Sequence, residues 1–183
     1  MSTISEAVEA PGPIIGLAID DTRASLEIMS KTLQLAGCVS ITTLDGYAGL
    51  LIVEALVPSI VITDLDMPGW SGIELIDAMR HSTNPSVRAI PVIVCSSTKN
   101  ASAIRAAFKA GGDRFLSKPI QMRILCKMVY HLLTEHSPHG ASSYVPSEVP
   151  SNTNNITQTS CQQKSFYPSI FQKQQFDPGP CHE

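Results

Sequence analysis

The sequence predicts an α/β fold, a doubly wound parallel sheet of five strands with five helices. Three observations carry that prediction. Short strand-like runs recur at Ile14–Ile19, Val39–Thr43, Ile60–Thr63, Ile90–Cys95 and Arg114–Ser117, and several are apolar throughout rather than alternating. Each run is followed by a longer stretch with apolar residues at helical spacing. Gly, Pro, Asp and Ser punctuate the joins. Strands apolar on both faces and alternating with helices mean a parallel sheet covered on both sides.

Taken in order, Ile14–Ile19 stops at Asp20-Asp21, and Asp21 or Thr22 can cap the helix that follows. Leu26, Met29, Leu33 and Ala36 form its inward stripe, and Gly37 ends it. After Val39–Thr43, the Asp45-Gly46 turn leads into a helix over Tyr47–Val57, which carries Leu50, Leu51, Glu54 and Ala55 and halts at Pro58. Ile60–Thr63 ends in Asp64, with Asp66 close behind, and its helix runs from Gly72 to about His81. Residues 82–88 read as a loop. Ile90–Cys95 ends in Ser96-Ser97-Thr98, and Asn100 or Ser102 starts a helix with Ile104, Ala107 and Phe108 inward. Arg114–Ser117 runs straight into Lys118-Pro119. A last helix, Ile120 to about Glu135, has a stripe of Ile124, Leu125, Met128, Val129 and Leu132. Right-handed crossovers leave few topologies, and the flavodoxin-like order 2-1-3-4-5 is expected.

The flanks differ. Residues 1–13 are predicted to be disordered, residues 14–136 to form the domain, and residues 137–183, rich in Ser, Asn, Gln, Thr and Pro, to be a disordered tail. That tail holds Phe166, Tyr167, Phe171 and Phe176 but no helix-turn-helix pattern, metal-ligand spacing or basic stripe, so no output domain is expected after residue 136. The formal net charge is −3 and the Lys and Arg residues are scattered, which gives no electrostatic case for nucleic acid. No apolar run nears the ~20 residues of a membrane span. The N-terminus lacks signal-peptide character, so a cytoplasmic protein is expected. Of five cysteines, Cys38 and Cys95 sit among apolar neighbours and read as core residues, and no pair has metal-ligand spacing.

In a parallel sheet all C-terminal strand ends share one edge. The groups delivered there are Asp20, Asp21, Asp64, Ser96 and Lys118, from four different strands. Carboxylates packed together repel unless a cation sits among them, and a hard divalent ion such as Mg²⁺ suits an all-oxygen set. One carboxylate can then attack phosphorus and become an acyl phosphate, whose oxygens need an ammonium, a hydroxyl and a backbone N–H.

The Asp-Asp pair, the run Asp64-x-x-Met-Pro-x-x-Ser-Gly72, the Ser after an apolar strand and Lys118-Pro119 together resemble the receiver domain of two-component response regulators, in particular single-domain, CheY-like receivers. The resemblance spans about Ile14 to Glu135. It implies a signalling phosphoprotein rather than an enzyme acting on other substrates, beyond its own phosphotransfer and dephosphorylation. Asp64 would be the phospho-acceptor and carry an aspartyl phosphate. Asp21, Asp64 and the backbone carbonyl of Asp66 would bind Mg²⁺ directly, and Asp20 through water. Lys118 would pair with Asp64 and hold a phosphoryl oxygen. Ser96 would be the switch hydroxyl, Phe115 the aromatic that turns inward with it, and Pro119 would follow a cis bond.

The implied partners are a histidine kinase or His-phosphotransfer protein and a downstream protein. The responsive surface would be the fourth helix (Asn100–Ala110), fifth strand (Arg114–Leu116) and fifth helix (Ile120–Glu135), through which a homodimer is a further expectation. Asp66 and Trp70 depart from the family's usual residues. Two alternatives stand beside this reading. A pseudo-receiver would act without phosphorylation. A haloacid-dehalogenase-like phosphatase would use Asp64-Leu-Asp66, but Pro68 and the position of the motif in the third strand are wrong for it.

Overall fold

The computed structural model of this chain describes residues 12–136. The expected flanks at 1–13 and 137–183 fall almost wholly outside the described residues. Five strands form one sheet: β1 (Ile15–Ile19), β2 (Val39–Thr43), β3 (Ile60–Thr63), β4 (Val92–Ser96) and β5 (Arg114–Ser117). All neighbours are parallel, in the order β2-β1-β3-β4-β5. This is the predicted doubly wound order, and it reverses beside β1, where a crevice opens at the strand ends.

Six helices rather than five cover it: α1 (Arg23–Leu35), α2 (Gly46–Leu56), α3 (Gly72–Arg80), α4 (Pro85–Arg88), α5 (Ala101–Ala110) and α6 (Met122–Glu135). The additional helix, α4, lies in the stretch read as a loop. Its start is nonetheless encoded, because the Asn84 side chain accepts from the Ser86 N–H at 2.9 Å and Pro85 takes the first turn, where its missing N–H costs nothing.

Two cores flank the sheet. Leu26, Met29 and Leu33 of α1 and Leu125, Val129 and Leu132 of α6 pack on one face, with Ala18, Ile60, Ile62, Ile93 and Cys95. Val53, Leu75, Ile76, Met79 and Ala107 pack on the other, with Leu17, Ile19, Val61, Val92 and Val94. Every residue of β3 is buried, and each fully buried Ile or Val contributes about 1.5–3 kcal/mol relative to exposure. The α1 stripe is as predicted.

The inward stripes expected for the helices after β4 and β5 need correction, and the helix after β2 shows which of its faces is buried. In α2, Leu51, Glu54 and Ala55 face outward, while Gly46, Gly49 and Val53 are buried. This helix is apolar nearly all round, so periodicity alone cannot orient it. In α5 only Ala107 is fully buried and Phe108 is 47% exposed, and in α6 Ile124 lies at the surface. The sheet is wide enough to cover one side of each helix and no more.

Candidate functional site

Register brings the acids together. β1 and β3 pair with Ile19 opposite Thr63, so the next residues, Asp20 and Asp64, leave the sheet side by side. The Asp64 N–H donates to the Ile19 carbonyl at 2.9 Å, continuing the ladder one step past the strand. β4 and β5 pair with Ser96 opposite Ser117, and the Lys118 N–H donates to the Ser96 carbonyl at 2.8 Å. Four strand ends therefore converge without any help from loops.

Asp20 is fully buried and Asp64 nearly so, at 4% exposure. Lys118 Nζ lies 2.6 Å from Asp64 Oδ2 and 2.7 Å from Asp20 Oδ2, bridging both. Asp64 Oδ1 accepts from the Leu65 N–H at 2.6 Å and from the Asp66 N–H at 3.4 Å, which fixes the carboxylate's orientation. Asp20 Oδ1 accepts from the Thr22 N–H at 2.9 Å. Asp20 Oδ2 is buried and shares the Lys118 ammonium with Asp64. Burial pushes the Lys118 ammonium down. The contacts with Asp20 and Asp64 outweigh it, and its pKa stands above the ordinary lysine value.

A profile described as the response regulator receiver domain matches residues 17–130. The chain belongs to the receiver-domain family. Among its relatives is the two-component response regulator ARR17 of Arabidopsis thaliana, 27% identical over 129 residues that cover 64% of this chain and 83% of that one. A putative response regulator from Chloroflexus aurantiacus superposes with a TM-score of 0.61 at 26% identity, covering 67% of this chain and 98% of the other. The chemotaxis response regulator CheY4 of Vibrio cholerae shares the fold at a TM-score of 0.60 and 24% identity, over 66% and 99% of the two chains.

Receiver domains bind Mg²⁺ at an acidic cluster. In this receiver Asp20, Asp21 and Asp64 each place one carboxylate oxygen within 4.8 Å of the others. The donor set fits a hard divalent cation on two counts. Three carboxylates meet one ammonium, and two of them, Asp20 and Asp64, are buried and must share it. Asp66 is not in this cluster; its side chain turns to Ser96 instead.

Ser96 Oγ donates to Asp66 Oδ2 at 3.0 Å and accepts from the Thr98 N–H at 3.1 Å. Phe115 is half-buried against the core that includes Val94 and Ala107. The Lys118–Pro119 bond is cis. Thr22 is the N-cap of α1, but its side chain makes no capping hydrogen bond.

Sequence reasoning missed the Asp66–Ser96 bond, the Lys118–Asp20 contact and the role of Trp70. The Trp70 ring meets Tyr47 edge-on, with centroids 5.4 Å apart, so the loop after β3 is pinned to the start of α2. Gly46 permits this, since a Cβ there would stand 2.6 Å from the Trp70 carbonyl oxygen. Gly72 does the same at the other end of the loop. A Cβ on it would fall on the Asp64 carbonyl, so only glycine lets α3 start directly behind β3. The Ser71 capping box, with Glu74, then sets the helix going. The glycine spacing in Asp45-Gly46 and Ser71-Gly72 was the available signal.

Proposed function

We propose that this receiver takes a phosphoryl group onto Asp64 from a phosphohistidine of a histidine kinase or phosphotransfer protein, the partners with which response regulators interact. The observation that carries this is the double contact of Lys118 Nζ with Asp64 Oδ2 and Asp20 Oδ2, at 2.6 and 2.7 Å, with both carboxylates buried. Asp64 Oδ1 is engaged by backbone N–H groups, which leaves Oδ2 as the attacking atom. An O–P bond forms at Oδ2 as the donor's N–P bond breaks, and the phosphohistidine ring, protonated on its other nitrogen, takes the bonding pair and leaves as neutral imidazole.

Lys118 remains within reach of a phosphoryl oxygen and offsets its charge. A Mg²⁺ held by Asp20, Asp21 and Asp64, with the Asp66 carbonyl, would supply charge neutralisation at the phosphoryl oxygens. Ser96 would contact the phosphoryl group in the modified state, and Phe115 would follow it inward. The altered surface would then be α5–β5–α6, offered to a downstream protein or a second copy. On this reading the protein signals and does not turn over other substrates. Among the described residues no helix is long and apolar enough to cross a membrane; we place the protein in the cytoplasm.

The test is incubation with acetyl phosphate and Mg²⁺, followed by intact-mass measurement. One phosphoryl adduct is expected, converted by hydroxylamine to the hydroxamate with release of phosphate, and absent from Asp64→Asn. A wild type that stays unmodified under several donors sinks the proposal and leaves a pseudo-receiver. An adduct carried by Asp66 would move the acceptor by two residues.

A further inference from the structure

We propose that the Asp66 carboxylate is a latch on Ser96, holding its hydroxyl away from the acceptor until Asp64 is modified; this rests on Asp64 being the acceptor. Ser96 is fully buried at the end of β4, and its hydroxyl has one proton to donate. That proton is committed to Asp66 Oδ2 at 3.0 Å, while the same oxygen accepts from the Thr98 N–H. Ser96 cannot donate to an oxygen on Asp64 and to Asp66 at once. Any move toward Asp64 breaks a hydrogen bond to a charged acceptor, among the stronger kinds.

Asp66 also senses the other side of this competition. Its own N–H leans on Asp64 Oδ1 at 3.4 Å, so the residue touches the acceptor through its backbone and the switch hydroxyl through its side chain. A phosphoryl group on Asp64 adds negative charge beside the exposed Asp66 carboxylate and repels it. The latch then weakens as the competing acceptor appears. Asp66 is thus a positioning residue: it sets where Ser96 rests and takes no part in bond making.

Two measurements test the latch. With Mg²⁺ present, beryllofluoride serves as the phosphoryl mimic, and its affinity is measured for wild type, Asp66→Ala, Asp66→Asn, Ser96→Ala and the Asp66→Ala/Ser96→Ala pair. Removing Asp66 should tighten binding about fivefold more when Ser96 is present than when it is absent, the worth of one hydrogen bond to a partly solvated carboxylate. Asp66→Asn, which keeps an acceptor oxygen, should fall between wild type and Asp66→Ala. Equal tightening in both serine backgrounds, with Asn matching Ala, overturns the latch in favour of simple charge repulsion.

The second measurement needs no mimic. Exchange of the Thr98 amide, which donates to Ser96 Oγ, should quicken several-fold in Asp66→Ala; unchanged exchange overturns the latch. Should wild type fail to bind beryllofluoride, the acceptor reading fails, and the exchange result still decides where Asp66 holds Ser96.

Discussion

The two ends of the sheet carry opposite kinds of charge cluster. At the C-terminal mouth, three carboxylates face one ammonium, which Asp20 and Asp64 share. At the opposite end stands Arg80, the last residue of α3. Its Nε and Nη2 donate to the Gly111 carbonyl at 3.1 and 2.7 Å, Nη2 also reaches Asp113 Oδ2 at 3.1 Å, and Nη1 donates to the Arg88 and Ile90 carbonyls at 3.0 and 2.9 Å. Asp113 Oδ2 accepts in turn from the Val92 N–H at 2.8 Å. One planar fork ties α3, α4, the start of β4 and the α5–β5 turn together. The Arg80 cluster has its donors and acceptors matched, whereas the mouth holds more carboxylates than its one ammonium can neutralise.

The largest expected break in this contrast is chemical. Asp64→Asn should remove phosphoryl uptake completely in the intact-mass experiment while leaving thermal stability no lower than wild type. Next is Arg80→Ala, which orphans three carbonyls and Asp113 together. It should cost about 2–3 kcal/mol in urea unfolding, and Arg80→Lys should recover little, since a point charge cannot span the fork. An Arg80→Ala protein as stable as wild type would refute the satisfied-cluster view.

The sharpest comparison removes one acid from each end. Without metal, Asp113→Asn should destabilise by about 1–2 kcal/mol, because it weakens bonds from both Arg80 and Val92. Asp20→Asn should raise stability by about 1 kcal/mol, because it relieves like-charge crowding at the mouth. The same variant should lose most of the rise in melting temperature that Mg²⁺ gives wild type by mass action. Shifts of the same sign at both ends would erase the distinction drawn here.

A pH-dependent effect lies in the core, away from both clusters. Burial pushes the Cys38 thiol up, from 9.0 to about 11. Above the unfolded value the open chain loses a proton that the folded chain keeps. This stabilising difference is therefore complete below about pH 9 and is lost as pH rises toward about 11. Denaturation across that window should show a decline of on the order of 1 kcal/mol per pH unit. The Cys38→Ala variant should show a shallower one; an identical slope would place the titrating group elsewhere.

Much of this molecule was legible before folding was considered. Asp20, Asp64 and Lys118 are found at the mouth because each follows directly on a strand, and Ser96 because it ends one; parallel pairing carries all such ends to one edge. The faces of α2 were not legible, since Leu51 and Val53 look alike in an apolar helix and only the width of the sheet separates them. Nor was Arg80, whose partners lie as many as 33 residues away. Trp70 drew notice in the sequence only as an oddity; its contact with Tyr47 depends on how the loop after β3 lies over Gly46.

By itself, then, the sequence determined the strands, their order and the set of groups at the mouth, because hydrophobic periodicity and chain-direction rules act locally and leave few topologies. Only the tertiary structure decided which partner each polar group takes: Lys118 for Asp20 as well as Asp64, and the Asp66 carboxylate for Ser96 rather than for the acidic cluster. Hydrogen bonds choose at the scale of an ångström, and that scale is set by loops whose paths depend on everything packed beneath them.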